Sequence, residues 1–170
     1  MIIIGKILDT GRKIIMRKDK MLISLSHDHF HGILLSQILK KNAPPYNDMP
    51  EGLIEKVKCT IPYYHTDLIR HFKYEEELLY PLVKGIDSTI DMLFERLIEE
   101  HKILNEMMII LRTNANPEED MDKLGYFLEA HIRKEERALF PKIELVVSYE
   151  KLIEIDKRIF AVRQNEIKEK

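Results

Sequence analysis

The segment from His71 to Pro81, His-Phe-Lys-Tyr-Glu-Glu-Glu-Leu-Leu-Tyr-Pro, returns sixty positions later from His131 to Pro141 as His-Ile-Arg-Lys-Glu-Glu-Arg-Ala-Leu-Phe-Pro. Each copy sets a histidine four residues before a glutamate, His71 before Glu75 and His131 before Glu135. On a helix that spacing stacks the two side chains on one face, which is the arrangement of a metal-ligand pair. An acid-histidine pair precedes each copy, Asp28-His29 before the first and Glu100-His101 before the second. The chain therefore reads as two halves of one duplicated motif, and four histidines with two glutamates converge if four helices converge.

The spacing of turn signals tests that convergence. A helix is expected over about 22–41, ended by Asn42-Ala43-Pro44-Pro45, and a second over about 51–84, interrupted by Pro62. A third is expected over about 89–112 behind a capping box of Ser88 and Asp91, and a fourth over about 117–140 with Pro117 at its first position. The stretch 149–167 reads as a shorter fifth helix or tail. His71 lies 14 residues before Gly85, His101 lies 16 residues after it and 13 before Asn114, and His131 lies 14 after Pro117. At about 1.5 Å per residue, these side chains share one height, about 20 Å from their turns, in antiparallel neighbours. His29, 13 residues before Asn42, fits the same level. The second helix starts too early for this symmetry, so the segment before Pro62 is expected to bend away or overshoot.

Apolar residues flank each candidate at helical spacing: Leu25 and Ile33 around His29, Leu68 and Leu78 around His71, Leu97 and Leu104 around His101, Leu128 and Leu139 around His131 and Glu135. The candidates thus face a core, where an unpaired carboxylate costs several kcal/mol. A metal is the natural compensation. Four imidazoles and two carboxylates suit iron or manganese and also accept zinc, but six ligands exceed one tetrahedral zinc site. Two metals sharing the glutamates, each capped by two histidines, leave room for a bridging oxo or hydroxo group and an exogenous ligand.

These residues resemble the hemerythrin-like family of HHE cation-binding domains. The resemblance covers about 22–141, with the two repeated segments as its most specific part, and with Asp28-His29-Phe30-His31-Gly32 and Glu100-His101 similar to the family's first and third helix motifs. It implies an all-α, up-down four-helix bundle in which His29, His71, Glu75, His101, His131 and Glu135 hold two iron ions. Oxygen-carrying members have one more histidine, four residues after the one in the third helix, and that position is Asn105 here. The pattern is more similar to members associated with iron sensing, nitric-oxide response or repair of iron–sulfur centres, although their separate cysteine-bearing domain is missing. What the resemblance implies is thus a non-haem di-iron protein that binds O2, NO or a related small ligand, or handles iron, in a sensing, storage or repair role. The alternatives are a di-iron enzyme reducing NO or peroxide, and a zinc-bound or metal-free helical interaction module. No general acid or substrate pocket is readable that would favour an enzyme.

Other residues have blander readings. His27 and His31 compete with His29, but they and His65 suit positions on the surface or behind the ligands. Asp67 is a candidate acceptor for the second N–H of His71, and Glu76 and Glu136 either face solvent or orient an imidazole. Cys59 is expected to serve ordinary packing, and as the only cysteine it excludes an intrachain disulfide, pointing to a reducing cytoplasm. A net charge of −2 offers no basic face for nucleic acid, and no apolar run approaches the roughly 20 residues of a membrane span. Expected organisation is an N-terminal extension at 1–20 with six basic and two acidic residues, the bundle at 21–145 and a C-terminal helix at 146–170. Met16 and Met21 are alternative starts.

Overall fold

Helical periodicity becomes five helices, and no strand, among the residues that a computed structural model describes, 22–44 and 49–168. α1 is Ile23–Leu39. α2 joins Leu53–Tyr63, a π turn at Tyr64–Leu68, Ile69–Lys73, a second π turn at Tyr74–Leu79, and Tyr80–Val83. α3 is Ser88–Thr113. α4 joins Glu118–Lys134, a π turn at Glu135–Leu139, and Phe140–Val146. α5 is Tyr149–Lys168. The expected N-terminal extension and the alternative starts at Met16 and Met21 lie outside the described residues.

Three local expectations change. Pro62 does not break α2: the chain stays helical through it and widens to π register immediately afterwards, so the lost backbone donor falls beside a register shift. The cap of α3 is Asp87, whose Oδ1 accepts the Thr89 backbone N–H at 2.8 Å; Asp91 instead accepts the N–H of Gly85 at 3.0 Å. That turn needs Gly85, which has φ of 79°. Pro141 does not stop α4 either. In both repeats a π turn comes first, with Tyr80 N–H donating to Glu75 O and Phe140 N–H to Glu135 O, and the following proline supplies no donor where α register resumes.

Side-chain pairs define how the helices run. His29 meets Glu136 and Lys40 meets Glu129, so α1 and α4 are antiparallel. Tyr64 meets Asn105 and Tyr80 stacks on Phe94, which sets α2 antiparallel to α3. Asp87 meets Lys142 while Asn114 meets Asp120, giving the same relation between α3 and α4. α1 and α4 approach so closely that a Cβ on Gly125 would sit 2.7 Å from the Ser36 carbonyl oxygen.

The core has two apolar ends and a polar middle. One end gathers Leu25, Leu79, Phe94, Leu97, Leu139 and Phe140, and the other Leu35, Leu68, Phe72, Leu104, Leu128 and Ile132. α5 belongs to the first end, and it is a full 20-residue helix where a shorter one was expected. It buries Leu152, Ile155 and Ile159 completely, a gross gain of roughly 5–9 kcal/mol before chain entropy. Among the described residues no helix is long and apolar enough to cross a membrane.

Candidate metal centre

Between the two apolar ends lie His29, His71, Glu75, His101, His131 and Glu135, all buried. They form two cages that share both glutamates, His29, His71, Glu75 and Glu135 in one, and Glu75, His101, His131 and Glu135 in the other. Within each cage the donor atoms lie within 4.8 Å of one another. The structure thus brings together all six residues singled out from sequence. His27, His31 and His65 are exposed and stand apart from the cages, and Cys59 is exposed too, where packing was expected.

Each imidazole is oriented by a carboxylate from a neighbouring helix. Asp28 on α1 accepts from His71 Nδ1 at 3.2 Å, Glu76 on α2 from His101 Nδ1 at 2.6 Å, Glu100 on α3 from His131 Nδ1 at 3.0 Å, and Glu136 on α4 from His29 Nδ1 at 2.6 Å. These four pairs close a ring through all four helices. Because each Nδ1 carries the donated proton, each Nε2 is the nitrogen turned to the cage centre. Asp67 does not take the role considered for it; it accepts from Arg70 and Thr66. Asp28 was visible only as the neighbour of His29, yet it serves His71, because adjacent residues on a helix face different partners.

At the centre the polar atoms are left facing one another. His29 Nε2 lies 2.9 Å from His71 Nε2, and His101 Nε2 lies 3.1 Å from His131 Nε2. The oxygens of Glu75 and Glu135 are buried, and none accepts a hydrogen bond in good geometry, although imidazole Nε2 atoms approach to 3.1 Å at Glu135 and 3.3 Å at Glu75. Two nitrogens at that separation cannot both carry a proton between them. One cation per pair of histidines satisfies both nitrogens and the bare carboxylate oxygens.

The electrostatics agree in direction. Burial works against charge on His29, yet Glu135 and Glu136 raise it to about 10; burial likewise opposes His101, which Glu135, Glu75 and Glu76 raise to about 11. His71 and His131 are also raised against burial, chiefly by Glu75 and Glu135 respectively. Burial and mutual repulsion push Glu75 upward, but His71 and His101 prevail and hold it low. Glu135 is held low against burial by His131, His101 and His29. Burial also opposes Asp28 and Glu100, which their histidines and the cations Arg163 and Lys134 bring down to about 2. Such a centre selects for positive charge, whether protons or metal.

Aromatic rings wall the centre. Phe72 stacks on His101 at 3.9 Å and Phe140 on His29 at 5.2 Å between centroids, which limits water around both cages. Asn105, one turn beyond His101, turns its side-chain oxygen to the Tyr64 hydroxyl at 2.9 Å.

An all-helical protein with paired histidine-glutamate cages is one class of metal binder, and comparison of the sequence places it further. The family model described as the hemerythrin HHE cation binding domain matches residues 22–148, and the chain belongs to that family. No curated protein and no solved structure matches it.

Proposed function

We propose that this chain is a non-haem di-iron binding protein built on an up-down four-helix bundle, with residues 21–145 as the bundle and 146–170 as a docked C-terminal helix. His29 and His71 would hold one iron and His101 and His131 the other, with Glu75 and Glu135 common to both cages. The observation that carries this reading is the pair of cages sharing two buried carboxylates whose oxygens have no hydrogen-bond partner among the described residues. When bound, an iron pair would supply redox chemistry toward a small ligand.

The protein's own residues do the rest. Glu76, Glu100, Glu136 and Asp28 hold the four rings in the tautomer that presents Nε2. Phe72 and Phe140 exclude water. Glu136 and Phe140, which touch His29, are among the residues lining a surface groove with Leu22, Ile23, Ser26 and Pro141, and that groove suits entry of a molecule the size of O2 or NO. With Asn105 in place of a fifth imidazole, the reading favours sensing, storage or repair involving O2, NO or iron over reversible oxygen carriage.

The test is the optical spectrum of anaerobically purified, iron-loaded protein before and after air and NO. The expected result is irreversible oxidation in air, with near-ultraviolet charge-transfer absorption, and a stable adduct with NO. Repeated oxygenation and deoxygenation without ferric iron would establish a carrier instead. Catalytic consumption of NO or peroxide with a reductant, well above the rate of free iron, would establish an enzyme.

A further inference from the structure

Among the positions at which the two halves of the duplicated motif differ, Tyr74 against Lys134 changes the charge behind a cage histidine. In the second half Glu100, which orients His131, is itself paired with Lys134, three residues after His131 on the same helix. In the first half Asp28 orients His71, but three residues after His71 stands Tyr74, which has no charge to offer. The missing cation comes from outside the four helices. Arg163 of α5 places Nη2 at 2.5 Å from Asp28 Oδ2 and Nη1 at 3.2 Å from Oδ1, a two-pronged pairing with the carboxylate.

Tyr74 is the seat for that arginine. Its ring lies 4.8 Å beneath the guanidinium, and its hydroxyl donates at 2.5 Å to Glu166, one turn further along α5. Arg163 also donates to the Ser24 carbonyl at 3.2 Å, so it ties α5 to α1 at the level of Asp28. The carboxylate behind His131 is therefore paired with a cation from α4, whereas the one behind His71 is paired with a cation from a helix added after the repeat.

We propose that Arg163 is a positioning residue through which docking of α5 governs the metal held by His29 and His71, while the metal held by His101 and His131 is indifferent to α5. This rests on the di-iron reading above. Lifting α5 removes the cation from Asp28, frees that carboxylate to leave His71 Nδ1, and lets the ring turn away from the cage. Coupling of this kind is reciprocal: if docked α5 favours metal at His71, metal at His71 favours docked α5 by the same factor.

The experiment uses Co(II), whose visible bands report binding, titrated into full-length metal-free protein. The substitution is Arg163→Met, with Arg158→Met as a control on the same helix, where Arg158 pairs with Glu154. Two backgrounds separate the half-sites: His131→Ala retains the His29 and His71 pair, and His29→Ala retains the His101 and His131 pair. Arg163→Met should weaken Co(II) binding by about tenfold in the first background and leave the second unchanged, the range seen when a residue behind a metal ligand is lost. Lys134→Met should give the opposite pattern, and Arg163→Lys should recover part of the loss. As a measurement that needs no variant, amide exchange across 149–168 should slow by roughly tenfold when wild-type protein is loaded with Co(II).

Equal weakening in both backgrounds, or none in either, overturns the coupling and leaves the di-metal reading standing. Unchanged exchange in α5 on loading does the same. Wild-type protein that fails to bind two ions overturns the di-metal reading, and the coupling falls with it.

Discussion

Glu135→Ala and Glu136→Ala differ by one residue, yet they should have very different effects on metal-dependent stability. Glu135 belongs to both cages, with His131 Nε2 and His29 Nε2 each 3.1 Å from its oxygens, whereas Glu136 lies outside the cages and meets one of their histidines, His29, at Nδ1. Metal that binds only the folded state at a hundredfold above its dissociation constant stabilises it by about 2.7 kcal/mol per site, so two sites give roughly 5 kcal/mol. In a chain of this size each kcal/mol moves the melting temperature by about 2–4 °C, and loaded wild-type protein should melt about 10–20 °C above its metal-free form. Glu135→Ala should reduce that gap to near zero. Glu136→Ala weakens one site by about 10- to 100-fold, which removes roughly 1.3–2.3 kcal/mol and leaves more than half the gap. Calorimetry of metal-free and loaded samples, with iron content measured on each, checks this. Equal loss in the two variants, or coincident melts of loaded and metal-free wild type, would refute the assignment of Glu135 to both cages.

Other outcomes follow from single contacts. Lys142 at 2.8 Å, together with the Thr89 backbone N–H, holds the Asp87 carboxyl below its ordinary range, so its contribution is full above the unfolded carboxyl value and is lost as pH falls through the folded one. Asparagine keeps the cap but not the charge, so melting temperature measured from about pH 6 to pH 3 should fall less steeply in Asp87→Asn than in wild type. Gly125→Ala forces a Cβ to 2.7 Å from the Ser36 carbonyl and should cost about 1–3 kcal/mol in denaturant unfolding, with metal stoichiometry retained. Phe72→Ala removes the ring stacked on His101 and should speed air oxidation of the reduced iron protein, read by stopped-flow absorbance.

The six cage residues were legible because the information was local and doubled: a histidine and a glutamate four apart, twice, at matching distances from turns. The carboxylates behind them were not, because each acts across a helix boundary. Asp67 sits at the right spacing from His71 in sequence, yet it turns to Arg70, while Asp28 reaches His71 from another helix. Nor were the π turns, since no local propensity separates them from α-helix; Pro81 and Pro141, each ten residues after a ligand-candidate histidine, mark two of the three once the backbone is seen. Leu152, Ile155 and Ile159 show a buried face on α5, but nothing in their spacing says that Arg163 would pair with Asp28, 135 residues upstream.

Anaerobic titration of metal-free protein with Fe(II), following bound iron per chain at protein concentrations well above the dissociation constant, tests the central claim most directly. The account expects a break at two iron ions per chain in wild type and loss of both tight sites in Glu135→Ala. A break at one ion, or retention of two tight sites in Glu135→Ala, would contradict a centre in which one pair of buried carboxylates serves two metals.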